Sequence, residues 1–250
     1  MKLAFLSDIH ANLHAWRACL AHAKAQGAEQ FAILGDLVGY GASPAAVVDE
    51  VMALAAAGAW VVGGNHDALA VAPPAQARTR DALGAQWTHD QLSRRQLDFL
   101  ASLPLSMRHQ DLHLVHASAD APAQWRYASE SQVAAASLEA ACAQGPTFCV
   151  FGGHVHHQLL YFWGTGRTLM RFLPTPGVAL PLSRRRQWLA TVGSVGQPRD
   201  GHTQAMYALL DTHSAQLCFH RVEYDYMAAA TAIRAMGLPE ESARRIELGF

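Results

Sequence analysis

The stretch KLAFLSDIHANLHAWRACLAHAKAQG, Lys2 to Gly27, decides the fold. Its first half is a short apolar run that stops at Asp8. Its second half repeats apolar residues at helical spacing through Leu13, Trp16, Leu20 and Ala23. Asn12 sits where a helix cap belongs, and Gly27 where a helix stops. The same unit returns at once. QFAILGD (30–36) reads as a second strand, and SPAAVVDEVMALAAAG (43–58) as a helix with Ser43 at the cap, Pro44 at the first position and Gly58 past the end. AWVVGGNHD (59–67) reads as a third strand. Alternation β-α-β-α-β predicts a mainly parallel sheet with helices on its faces.

Outward from there, residues 68–104 carry a helical pattern, with Ser93 as a cap for SRRQLDFLASLP. DLHLVH (111–116) and TFCVFGGH (147–154) are strands, separated by a helix over 131–145. Beyond 154 the runs QLLYFW, RTLMRFL, QWLATVG, AMYALLD and QLCFHRVEYD are short and joined by turn signals. They predict antiparallel strands, as a second sheet or an extension of the first. A helix over 225–236 and a tail end the pattern. The expected architecture is α/β, a two-sheet mixed β sandwich flanked by helices, with residues 1–250 as one domain.

Composition narrows the function classes. A formal net charge of −1 gives no global bias toward nucleic acid or an anionic membrane surface. No apolar run reaches the length of a membrane span. Cys19, Cys142, Cys149 and Cys218 are scattered, without a CxxC pair. They read as reduced, mostly buried thiols, and together with a strand pattern that begins at Lys2 they predict a cytoplasmic protein.

One regularity dominates. Five strand patterns end in residue types that bind metals: Asp8 and His10 in SDIH, Asp36 in GD, Asn65, His66 and Asp67 in GNHD, His116 in LVH, and His154 and His156 in GGHVH. In open α/β sheets, ligands bind beyond the carboxyl ends of the strands, so these residues can meet although they are far apart in sequence. Within FGGHVHHQ (151–158), extended or turn geometry would turn His154 and His156 to one side and His157 away.

This ordered set resembles the calcineurin-like metallophosphoesterase superfamily, whose pattern is D-x-H, G-D, G-N-H-D/E, a lone His and G-H-x-H. Every element is here in order, as DIH, GD, GNHD, LVH and GHVH. SDIHANLHA, GDLVGYGASP and GSVGQPRDG are similar to a small bacterial subgroup related to diadenosine tetraphosphatases. One departure is Thr191-Val192, where that subgroup tends to have Asn-Pro. The resemblance implies two metal positions. Asp8, His10 and His156 would hold one ion, Asn65, His116 and His154 the other, and Asp36 would bridge them. It further implies hydrolysis of a phosphate ester or anhydride by a metal-bridging hydroxide. His66 would face the leaving-group oxygen, with Asp67 fixing its tautomer.

The residue types agree with this. Carboxylate, amide and imidazole donors without thiolate suit Mn²⁺, Fe²⁺/Fe³⁺, Zn²⁺, Co²⁺ or Ni²⁺, with Mn²⁺ favoured in vitro, rather than an all-oxygen calcium cage. Two such ions can clamp a phosphate and lower the pKa of bound water. Asn12, Tyr40 and Arg199 are candidate substrate contacts. His14, in an HxxxH spacing without the metalloprotease Glu, reads as a helix-surface residue. Arg184, Arg185 and Arg186 read as a solvated run. The expected partner is a small phosphate ester or nucleotide, with no membrane and no sequence-specific nucleic acid. A non-catalytic scaffold on the same fold would be expected to have lost ligands or His66, and this chain keeps all of them. The larger protein phosphatases carry extra arginines beside these motifs, and GDLVGYG and GNHDAL have none.

Overall fold

The computed structural model describes residues 1–75 and 80–250. The expected helical pattern over 68–104 therefore has one part, 76–79, outside the described residues.

The first sheet is built on β1 (Lys2–Leu6), β2 (Gln30–Leu34) and β3 (Trp60–Val62), which run parallel in the order β3-β2-β1. It continues through β11 (Ala205–Asp211) and β12 (Gln216–Val222) to β9 (Ala179–Pro181), all by antiparallel pairing. The second sheet runs β4 (Ser106–His109), β5 (Leu112–Val115), β6 (Cys149–Gly152), β10 (Trp188–Val192), β7 (Gln158–Trp163), β8 (Leu169–Phe172). In it β5, β6 and β10 are parallel and the rest antiparallel. The late strands thus do both things left open by the sequence: β11, β12 and β9 extend the first sheet, and β7, β8 and β10 build the second.

Both faces of β1 are covered, which is why its apolar run does not alternate. Leu3 and Phe5 point between the sheets, where Phe5 stacks on Phe151 with ring centroids 3.6 Å apart. Ala4 and Leu6 face outward, under α1 (Leu13–Ala25) and α2 (Pro44–Ala56). The outer face of the second sheet is covered by α6 (Ser131–Ala143), through Val133, Ala134, Leu138 and Ala141. Each large apolar side chain buried this way contributes about 1.5–3 kcal/mol.

Three expectations need correction. The third strand ends at Val62. Asn65 instead opens a helix, α3 (Asn65–Val71), which begins directly after the two glycines. The helical region beyond it is α4 (Arg80–Gln91) and α5 (Arg94–Ser102), and β4 follows it as an edge strand that the sequence pattern did not reveal. The tail is a helix. After α7 (Tyr226–Ala235) the chain forms α8 (Glu240–Leu248), which buries Ala243 and Ile246 against Ala229, Ala230 and Ile233. The four cysteines are free, but Cys142 is exposed rather than buried. No helix among the described residues is long and apolar enough to cross a membrane.

Candidate metal centre

The carboxyl ends of β1, β2 and β3 lie along one edge of the first sheet, and those of β5, β6 and β10 along one edge of the second. Backbone bonds stitch the two edges together. Val195 N–H donates to Ser7 O at 2.9 Å and Gly196 N–H to Asp8 O at 2.9 Å, while within the second edge Gly153 N–H donates to His116 O at 2.8 Å. Gly153 has to be glycine, because a Cβ there would overlap Ser7 and the Asp8 carboxylate. Gly64 meets the same limit against Asp36.

The backbone is strained at this junction. Asp8, His10, Asp36, His154 and His156 all have left-handed φ, between 48° and 64°. Each such non-glycine residue costs about 1–2 kcal/mol. Tyr40 shares the conformation, at φ 61°. Strain of this kind persists only where the surrounding structure imposes it, and it clusters at functional sites. It also explains the GHVH segment. His154 and His156 are two left-handed residues in a tight turn after β6, not alternate residues of a strand, and they serve different sides of the centre. His157 is turned aside, its Nδ1–H donating to Val155 O at 2.9 Å. Thr191, at the departure from the subgroup pattern, holds this turn. Its hydroxyl donates to His157 O at 2.7 Å and accepts from Leu159 N–H at 3.1 Å.

Two clusters result. In the first, His156 Nε2 lies 3.2 Å from Asp8 Oδ1 and 3.2 Å from His10 Nε2. In the second, His116 Nε2 lies 3.3 Å from Asp36 Oδ2 and 3.2 Å from Asn65 Oδ1. His154 belongs with Asp36 and His116, their donor atoms all within 4.8 Å. Asp36 joins the clusters: its Oδ2 is also 3.8 Å from His10 Nε2, while its Oδ1 accepts the His66 N–H at 2.8 Å.

Ring orientation tells whether these groups fit a metal. His10, His116 and His156 each place Nδ1 against a backbone carbonyl, of Val38 at 3.1 Å, Leu34 at 2.7 Å and Gln197 at 2.6 Å. A carbonyl only accepts, so each Nδ1 carries the hydrogen. The Nε2 lone pairs then point inward, as metal-ligating histidines require. Two imidazole lone pairs 3.2 Å apart beside a carboxylate call for a cation between them. His154 Nε2 is buried and has no hydrogen-bond partner among the described residues.

The local charge agrees. Burial opposes ionisation of Asp8, but His156 beside it outweighs that and holds the carboxyl below its ordinary range. Burial likewise opposes ionisation of Asp36, and His116 and His66 overcome it. Burial lowers His10 well below its ordinary value and His154 to about 4, so both are neutral ligands at pH 7. For His116, burial acts downward but the Asp36 charge and hydrogen bond win, raising it to about 9. That proton marks where the negative field draws positive charge, and a divalent ion would replace it.

His66 stands beside the clusters. Its ring packs edge-on against His10, centroids 5.1 Å apart, and against Tyr40 at 4.5 Å. A third group of donor atoms within 4.8 Å, His10, Asp36 and His66, shows how near it comes. Asp67 follows His66 on α3 and is buried. Its carboxylate accepts from the backbone N–H groups of Leu37 at 2.8 Å, Val38 at 3.3 Å and Gly64 at 2.9 Å. It clamps the turn after Asp36 to the start of α3, and so acts on His66 through the backbone.

Of the expected substrate contacts, Asn12 is excluded. It is only 4% exposed. Its Oδ1 accepts from Ala15 N–H at 3.1 Å, and its Nδ2 donates to Gly196 O and Tyr224 Oη at 2.9 and 3.3 Å. Asn12→Ala is expected to lower stability by about 1–2 kcal/mol, as for a lost helix cap, measured by denaturant unfolding. An unchanged midpoint would contradict this. Tyr40 packs against His66, and the Arg199 guanidinium carbon lies 6.0 Å from the Tyr40 ring centre. Arg184 pairs with Asp111 at 2.8 Å, and Arg186 lies over Phe162, so both serve structural contacts.

Sequence reasoning missed several residues. Ser194 Oγ donates to Asp8 O at 2.8 Å. Tyr127, 48% exposed, stacks on His154 with centroids 4.2 Å apart, and Trp125 lies against His116 at 5.8 Å. No spacing rule applies to the AQWRY loop; the only cue was two aromatics in a polar segment.

The model of the calcineurin-like phosphoesterase superfamily domain matches residues 1–215. Uncharacterized protein MJ0912 of Methanocaldococcus jannaschii is 31% identical over an alignment of 253 positions, covering 99% of this chain and 98% of the relative. The crystal structure of a metallophosphoesterase from Sphaerobacter thermophilus superposes with a TM-score of 0.88 at 33% identity, covering 100% of both chains. Hypothetical protein PH1004 from Pyrococcus horikoshii OT3 shares the fold, with a TM-score of 0.76 at 19% identity over 100% of this chain and 98% of the other.

Proposed function

This chain belongs to the calcineurin-like phosphoesterase superfamily and is a metallophosphoesterase, and from that premise we propose that it hydrolyses a small phosphorylated substrate at a pair of divalent ions. The observation that carries the pair is Asp36 Oδ2, which faces His10 of one cluster and His116 of the other. Asp8, His10 and His156 would hold one ion, Asn65, His116 and His154 the other, and Asp36 both. When bound, such ions supply Lewis acidity toward phosphoryl oxygens and a water acidic enough to attack phosphorus near neutral pH.

The chain's own residues do the rest. Carbonyls of Val38, Leu34 and Gln197 fix the three imidazoles in the tautomer that presents Nε2. His66, at the start of α3, gives its side-chain proton to the leaving-group oxygen as the P–O bond breaks. Its backbone N–H bond to Asp36 ties that proton donor to the bridging carboxylate. Tyr40 and Arg199 would contact the substrate at this edge. Retention of all seven ligand positions and His66 in one cluster favours an enzyme over a scaffold. We place this protein in the cytoplasm, as four free thiols suit a reducing compartment, and treat the 250 residues as one domain.

The test is a panel of a phosphomonoester, a phosphodiester and a dinucleoside polyphosphate. It is run on chelator-treated protein before and after Mn²⁺ is restored. Turnover of at least one substrate, dependent on Mn²⁺, is expected; no turnover on the whole panel sinks the proposal. A second check is Gly153→Ala. Its methyl group displaces the Asp8 carboxylate, so Mn²⁺ affinity should fall about 10–100-fold, as for loss of a ligand's supporting contact. Calorimetric titration matching wild type would contradict it.

A further inference from the structure

A cavity of ≈ 270 Å³ opens on His66 and Tyr40 but is not lined by Asp8, Asp36 or His116. Among the described residues, two of its walls come from helices far apart in sequence. Trp87 and Thr88 of α4 face Leu238, Pro239, Ser242 and Arg245 at and within α8. Arg245 Nη2 pairs with Glu241 at 2.8 Å, whereas its Nε is buried with no hydrogen-bond partner among the described residues.

We propose that this cavity is the leaving-group subsite and that it takes the flat aromatic or heteroaromatic ring of an alcohol esterified to the phosphate. The proposal rests on His66 facing the leaving-group oxygen. In an in-line displacement the leaving group departs opposite the attacking water, so what lies beyond His66 receives it. An indole, a proline ring and a leucine suit a flat apolar body, as ligand pockets are mostly apolar with a few placed polar groups. Arg245, paired with Glu241, sets the polar end of this wall. In the step, water adds to phosphorus, the bond from phosphorus to the leaving-group oxygen breaks, and the His66 proton goes to that oxygen. The proton released by the water restores His66. The products are the phosphate and the free aromatic alcohol.

Gly84 of α4 provides the test. It lines the cavity, and a Cβ built on it meets nothing within 4 Å among the described residues. Leucine there suits the helix better than glycine and projects into the space. The Mn²⁺-loaded protein is assayed on 4-nitrophenyl phosphate and on acetyl phosphate, an acyl phosphate anhydride with a small leaving group. Gly84→Leu should lower kcat/KM for the aryl ester at least ~10-fold and leave acetyl phosphate within ~2-fold, a pocket effect of ordinary size. Independently, 4-nitrophenol and adenosine are titrated into metal-free protein by calorimetry. Wild type should bind at least one of them, and Gly84→Leu and Trp87→Ala neither. The two probes distinguish a phenolic from a nucleoside leaving group. Equal effects of Gly84→Leu on both substrates, or aromatic binding absent in wild type or untouched by both variants, would overturn the subsite. A His66→Ala protein that still binds the aromatic alcohol but keeps full turnover of an alkyl phosphate ester would sink the role of His66 while leaving the subsite standing.

Discussion

An Asp36→Asn protein is expected to fold, to bind less metal and to lose at least ~10³-fold in kcat with Mn²⁺ present, since several kcal/mol of charge stabilisation depend on it. The carboxylate does two jobs through two oxygens. Oδ2 faces His10 and His116, and Oδ1 receives the His66 N–H. An asparagine can keep one of these contacts but carries no charge. His116 should respond too, because the Asp36 charge is what raises it to about 9 against burial. Steady-state kinetics and metal analysis check this. Wild-type turnover, or wild-type metal content, would show that Asp36 is not the shared ligand.

His66→Ala should separate chemistry from metal binding. The ring lies beside His10 and Tyr40 and borders the cavity, but its backbone N–H, which the substitution keeps, is what holds Asp36. Metal content should therefore stay at the wild-type level while kcat falls about 10²–10⁴-fold, the range for loss of a general acid. A substrate whose leaving group needs no proton should be affected least. Loss of metal, or full activity on an alkyl ester, would contradict the assignment.

Much of this site could be read along the chain because the fold makes it local to strand ends. Apolar runs that stop at Asp8, Asp36, His116 and His154 announce both the strands and the polar edge they share. What the sequence hid depends on contacts between distant residues. Asn65 reads as a strand end, but Asp67 reaches back to Gly64 N–H and caps a helix, and no period shows that over three residues. His154 and His156 read as extended or turn residues on one side, and left-handed φ values show that the turn is what separates them. Asn12 could serve as helix cap or substrate contact, and Gly196, 184 positions away, makes the choice. α8 has only a thin apolar stripe, so its existence depends on α7 beneath it. The cavity beyond His66 is the extreme case, since its two walls are set by packing alone.

The most direct test of the account is anomalous diffraction from crystals of the protein grown with Mn²⁺. Two peaks per chain are predicted, one at bonding distance from Asp8, His10 and His156, the other from Asn65, His116 and His154, with Asp36 reaching both. A single peak, or Asp36 bound to only one ion, would contradict it.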